Sequence, residues 1–176
     1  MTHSVIELAI TPADQRIAWL TATAVGLSLV DAAIPLPLPG IKPGLANIVT
    51  LVVLARYGWQ TAVWVSLLRV IVSSMLVGQF LAPGFFLGMS GAVCSLGMLF
   101  LAHRLPSRWF SAVSWSILAA FAHILGQILV ARLWLIPHDG VFYLLPLFAL
   151  TAFVFGTLNG LIVARLLSTP TPASTA

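Results

Sequence analysis

Charge is what this sequence has least of. Of its 176 residues, eight are Lys or Arg and four are Asp or Glu, 7% in all, against about 25% in an ordinary soluble domain. Too few polar side chains remain to cover a globule in water, so a soluble domain is excluded. The four acids are Glu7, Asp14, Asp31 and Asp139. No two are adjacent or at helical-neighbour spacing, so the clustered carboxylates of a magnesium–diphosphate site are missing. No P-loop and no nucleophile–base motif occurs either. The chain therefore reads as a non-enzyme, and any ATP used with it must bind another subunit. Cysteine is nearly absent too. Cys94 stands alone, which rules out an internal disulfide and a cysteine-based metal cluster. His123 sits at a depth that His3, His103 and His138 do not share, so neither a metal nor another cofactor is expected. The net charge of +4 comes from scattered arginines with no basic stripe, which speaks against nucleic acid.

What is present is apolar sequence. Hydrophobic residues make up 60% of the chain, and the mean hydropathy is +1.08. They fall in runs near the ~20 residues that a membrane-spanning helix needs. Breakers divide them into six spans of an all-α, polytopic membrane protein: about 17–34, 45–57, 59–80, 84–105, 110–135 and 141–167. The second is short: thirteen residues rise only about 20 Å, less than the ~30 Å hydrocarbon core. Residues 1–16 read as a cytoplasmic segment and 168–176 as a disordered tail. The first span is too long for the apolar core of a signal peptide and reads as retained. Arg16, Arg56, Arg104, Arg108 and Arg165 fall at span ends on one side, with Arg132 a partial exception. The positive-inside rule then puts both termini in the cytoplasm.

Polar groups inside spans are costly and face the bundle interior. They are Asp31, Arg69, His123 and Arg132, with Asn47, Gln79, Gln127 and Asn159. In this orientation all but Asn159 lie between the midplane and the outer face, Asn47 in the outer turn of the second span. His123 and Gln127 are four apart and share a helix face; Ser66, Arg69 and Ser73 share another. Two readings fit. One is an outward-open polar pocket; the other is a set of structural hydrogen bonds with an Asp31–Arg69 ion pair clamping helices. Small residues four apart, Ala18, Ala22 and Gly26 on the first span and Gly84, Gly88 and Ala92 on the fourth, allow close helix approach.

Between the first two spans runs Ile34-Pro35-Leu36-Pro37-Leu38-Pro39-Gly40-Ile41-Lys42-Pro43-Gly44. Alternating prolines favour an extended path without internal hydrogen bonds. At membrane depth such a path must be buried in protein or line a cavity, so residues 34–44 read as a stiff outer lid. Pro43 suits a first helical turn. Lys42, the free N–H groups of that turn, Arg69 and Arg132 together suit an anionic ligand.

The Pro-rich block with Asn47, and then Ser66-Leu67-Leu68-Arg69, Ser90-Gly91-Ala92, Ala122-His123-Ile124-Leu125-Gly126-Gln127 and Gly140-Val141-Phe142-Tyr143, resemble the family labelled Gx transporter or heptaprenyl diphosphate synthase component I. That family is similar to the substrate-binding S-components of energy-coupling-factor vitamin transporters. The resemblance implies a six-helix S-component-like bundle in the cell membrane. It also implies a ligand pocket toward the outer face, and a first helix that docks on a transmembrane coupling subunit with ATPases. Ala18, Ala22 and Gly26 fit such docking. The expected function is capture of a small anionic or amphipathic molecule from outside, with Asp31, Lys42, Asn47, Arg69, His123 and Gln127 as ligand-binding residues. The alternative is a structural membrane subunit of an extracytoplasmic flavin- or quinone-linked electron-transfer system, with a redox partner. An accessory role in prenyl diphosphate synthesis is the third reading.

Overall fold

A computed structural model describes residues 10–35, 42–104, 111–136 and 138–169. Six helices follow in order: α1 Pro12–Ala33, α2 Leu45–Tyr57, α3 Trp59–Leu76, α4 Pro83–His103, α5 Ala112–Val130 and α6 Leu145–Ser168. All are α-helices, and five are long and apolar enough to cross a membrane; α2 is the shorter one. Their outward faces carry large apolar side chains such as Trp19, Phe153, Leu161 and Leu133. A surface of that kind is solvated by lipid, so the chain is a multi-pass helical membrane protein.

Helix ends follow local chemistry. α1 begins at the Thr11 cap, one turn before the apolar run at Ile17. The Thr11 hydroxyl accepts from the Asp14 N–H at 3.2 Å, and the Asp14 carboxylate accepts from the Thr11 N–H at 3.0 Å. This reciprocal pair satisfies donors that a helix start leaves free. α5 does not stop at Val130 but widens into a π-turn over Ala131–Leu135. A 3-10 turn, Asp139–Leu144, then leads into α6. The expected disordered tail and the cytoplasmic segment fall largely on residues 170–176 and 1–9, outside the described residues.

The helices alternate in direction, and this gathers the arginines. Arg56 donates to the Leu166 carbonyl at 2.8 Å, Arg16 lies 5.1 Å over the Tyr57 ring, and Arg104 lies 4.2 Å over the Phe100 ring. These contacts define one end of the bundle, the arginine end. Arg132 is at the opposite end. Its Nη2 is 2.7 Å from Asp139 Oδ1, so this arginine is neutralised where it stands.

The main apolar cluster lies in the arginine half. Ala24, Leu51, Val53, Val65, Leu99, Ala119 and Val163 pack there around α2. The cause is the length of α2. Its thirteen residues rise about 20 Å, and Arg56 pins its last turn to the end of α6. Its first turn must therefore start partway through the bundle. Beyond that start, five helices surround a space that a sixth full-length helix would fill.

Candidate functional site

That space is a cavity of about 520 Å³. Its floor is the start of α2. Gly44 precedes the helix with φ of +73°, a left-handed conformation that glycine adopts without penalty. Gly44 has no side chain of its own with which to cap α2. Instead the Asn159 amide on α6 donates to the carbonyls of Pro43 at 2.9 Å and Gly44 at 3.3 Å. These bonds hold the turn into α2 at the depth of Asn159. Asn159 precedes Leu166 by seven residues, about 10 Å along the helix. Asn47, in the first turn of α2, is thus at the cavity floor and not at the membrane surface.

The walls come from every helix. Ser28 and Asp31 come from α1, Asn47 from α2, Arg69 and Ser73 from α3, and His123 and Gln127 from α5. Lys42, just ahead of α2, also lines the cavity, so Asp31, Lys42, Asn47, Arg69, His123 and Gln127 share one space. The rest is largely apolar and aromatic, with Phe85, Phe148 and Phe155 among the lining residues, and it reaches the α3–α4 turn through Val77, Gln79 and Gly84.

Electrostatically the cavity is mixed. Asp31 and Arg69 are buried, with 5% and 7% of their surface exposed. They are not within ion-pair distance: among the described residues the ion pair is Arg132–Asp139. The expected Asp31–Arg69 clamp is therefore not made, and Arg132 does not join Arg69 and Lys42. The Asp31 carboxyl lies instead against the backbone N–H groups of Leu45 and Ala46 at the start of α2, with Arg69 and Lys42 near enough to act on it through space. Asp31 Oδ1 and Arg69 Nε have no hydrogen-bond partner. Buried polar atoms in native proteins are nearly always paired, so two such atoms on one cavity wall mark a place for water or a ligand.

On the far wall the His123 and Gln127 side chains meet at 3.2 Å. The imidazole lies flat against Gly91 of α4: a Cβ at that position would be 2.6–2.8 Å from three ring atoms. Gly91→Ala is expected to destabilise by about 1–3 kcal/mol, the usual cost of overpacking. Because the ring is what the new methyl meets, adding His123→Ala should restore most of that loss. Thermal melting of the single and double variants measures it, and additive losses would contradict the contact.

Asn159 lines the cavity and is the polar residue that spacing alone overlooks, because counting from the end of α6 makes it deep. A second overlooked feature is Gly156-Thr157-Leu158-Asn159-Gly160. A Cβ on Gly160 would be 2.6 Å from Val113 Cα, and one on Gly156 3.0 Å from Ile117 Cα; α5 and α6 touch there backbone to backbone. Ala18, Ala22 and Gly26 of α1 are exposed on the outside of the bundle, and a Cβ on Gly26 would meet nothing within 4 Å. The expected lid falls mostly on residues 36–41, which lie outside the described residues.

A multi-pass helical bundle with a mixed polar and aromatic cavity sealed at one end by a half-length helix is the class that fold and site define. The description "heptaprenyl diphosphate synthase component I" matches residues 20–166, and the chain belongs to that family. Comparisons with curated proteins and with solved structures give no match.

Proposed function

We propose that the chain is a membrane-embedded substrate-binding or uptake subunit that captures a small anionic or amphipathic molecule. One observation carries this reading. Asp31, Lys42, Asn47, Arg69, His123 and Gln127, from distant parts of the sequence, line one cavity of about 520 Å³ that holds an unpartnered buried carboxylate oxygen and an unpartnered guanidinium nitrogen. A purely structural network would pair those atoms with each other. A pocket keeps them for a guest. Arg69 and Lys42 supply cationic charge for an acidic headgroup, and the aromatic residues suit an apolar body.

The family's name adds a candidate chemistry. A prenyl diphosphate is an amphipathic anion, so a binding role toward such a molecule is compatible with this cavity. The sequence still lacks the Asp-rich motif that synthesis would require, and we take the chain to be a non-enzyme. The arginine end is taken as cytoplasmic, because Arg16, Arg56, Arg104 and Arg165 fall there. The cavity then belongs to the outer half, in the cell membrane. The exposed Ala18, Ala22 and Gly26 are the proposed docking face for a coupling subunit.

Native mass spectrometry of the protein extracted in mild detergent tests both halves of the reading. A bound small acid, released on collisional activation, is the expected result, together with an ATPase-linked membrane partner. Co-purification of a redox protein with an empty cavity would favour the electron-transfer reading.

A further inference from the structure

The carboxylate of Asp31 stands where an anion would be expected. In the empty cavity the polar groups that act on it are electropositive: the N–H groups of Leu45 and Ala46, which it accepts from, Arg69 from α3 and Lys42 from the turn ahead of α2. These are the elements of an anion seat, namely a helix start whose N–H groups point at a carboxylate and two cations. Asp31 and Arg69 are deep, with 5% and 7% of their surface exposed, whereas Lys42 is exposed. The other titratable group on the cavity is His123 of α5, across from Arg69; the walls given by α4 and α6 bring none.

We propose that Asp31 is the placeholder of this seat, and that it takes up one proton when an anionic guest arrives. The inference rests on the binding reading above and adds to it a coupling to protons. When the cavity is empty, the ionised carboxylate compensates the helix start, Lys42 and Arg69. A guest anion brings a second negative charge to the same cations at low dielectric, and two like charges sharing one site disfavour ionisation of one of them. The guest remains charged if its acid is strong. The proton therefore goes to Asp31, from cavity water onto Oδ1, the oxygen that has no partner. A monoanion and a proton bind together, and the filled site carries the same net charge as the empty one. An anion is thereby held inside a membrane without adding charge to it.

Hexanesulfonate is a suitable probe because it stays ionised at every pH used and has a short apolar tail. Its binding is measured calorimetrically to the full chain in lipid nanodiscs, with empty nanodiscs as reference, between about pH 5 and about pH 8. Because the bound state holds the extra proton, affinity should fall as pH rises. The limit is about tenfold per pH unit between the titration points of Asp31 in the empty and filled sites. Repeating the measurement in buffers of different ionisation enthalpy should give an uptake approaching about one proton per anion. That second measurement needs no variant. Asp31→Asn mimics the protonated form, so it should bind at the low-pH affinity throughout, with no slope and no proton uptake. His123→Gln should keep the slope.

Binding that is flat with pH in the wild type overturns the proposal, as does a slope that survives Asp31→Asn or disappears in His123→Gln. Failure of hexanesulfonate to bind any of the three proteins is a different result. It removes the anion-binding reading itself, and the placeholder with it.

Discussion

Replacing Gly160 by alanine is expected to cost the bundle at least about 3 kcal/mol, the upper part of the range for overpacking, and to lower its melting temperature by on the order of 10 °C. The added methyl would be 2.6 Å from Val113 Cα, 3.0 Å from Ser116 Cβ and 3.3 Å from the Ala112 carbonyl oxygen. Two of these are backbone atoms, which cannot rotate away, so α5 and α6 would have to separate. Separation would also move Asn159, the residue before Gly160, whose amide holds the turn into α2. Gly26→Ala is the matched control. It adds the same methyl on α1, where nothing lies within 4 Å, and alanine is the better helix former by about 1 kcal/mol. Its melting temperature should hold or rise. Equal losses in the two variants would refute the backbone contact between α5 and α6.

This pair also shows where sequence reading succeeds and where it stops. Helix existence was legible, because apolar runs and breakers are local. The second span, read as residues 45–57, matches α2 Leu45–Tyr57. What spacing does not carry is depth. Asn47 reads as an outer residue only if every helix begins at a membrane surface, and α2 begins inside the bundle. The sequence held the hint, since thirteen residues cannot reach across the hydrocarbon core. Counting back from Arg56 rather than forward from the prolines puts Asn47 at the level of Asn159.

Charge pairing was hidden for a similar reason. Asp31 and Arg69 look like natural partners by depth, yet Asp31 faces the start of α2, and the ion pair among the described residues joins Arg132 to the acid seven residues beyond it. An ion pair needs a few ångströms of agreement, and helix rotation sets that agreement. Small-residue stripes were equally ambiguous. Ala18-x-x-x-Ala22-x-x-x-Gly26 and Gly156-x-x-x-Gly160 have one pattern in sequence, but only the second is used inside the fold. Polar residues lie between the small ones in both stripes, Thr21 and Thr23 on α1 and Asn159 on α6, so the pattern alone does not say which face turns inward.

Arg69→Leu should separate binding from stability. Arg69 is buried on α3 with Nε unpartnered, so the empty protein carries a cation that its own residues do not fully compensate. Arg69 is in no ion pair among the described residues, so an apolar side chain of similar length relieves the desolvation penalty of a buried charge. The opposing effect is the loss of one of the groups that offset Asp31, which keeps Lys42 and the N–H groups of Leu45 and Ala46. The two effects act on the same site with opposite sign, so the melting temperature should change little. Anion binding should not survive in the same way. Removing one partner of a buried charge pair costs about 2–5 kcal/mol, and a mid-range loss of about 3 kcal/mol weakens hexanesulfonate affinity by roughly a hundredfold. Arg69→Lys should recover only part of it, because an ammonium replaces the planar fork with a point charge. Calorimetry and melting on the same samples give both quantities. A variant that melts far below the wild type would make Arg69 a structural clamp, whereas one that binds normally would move the anion seat away from α3.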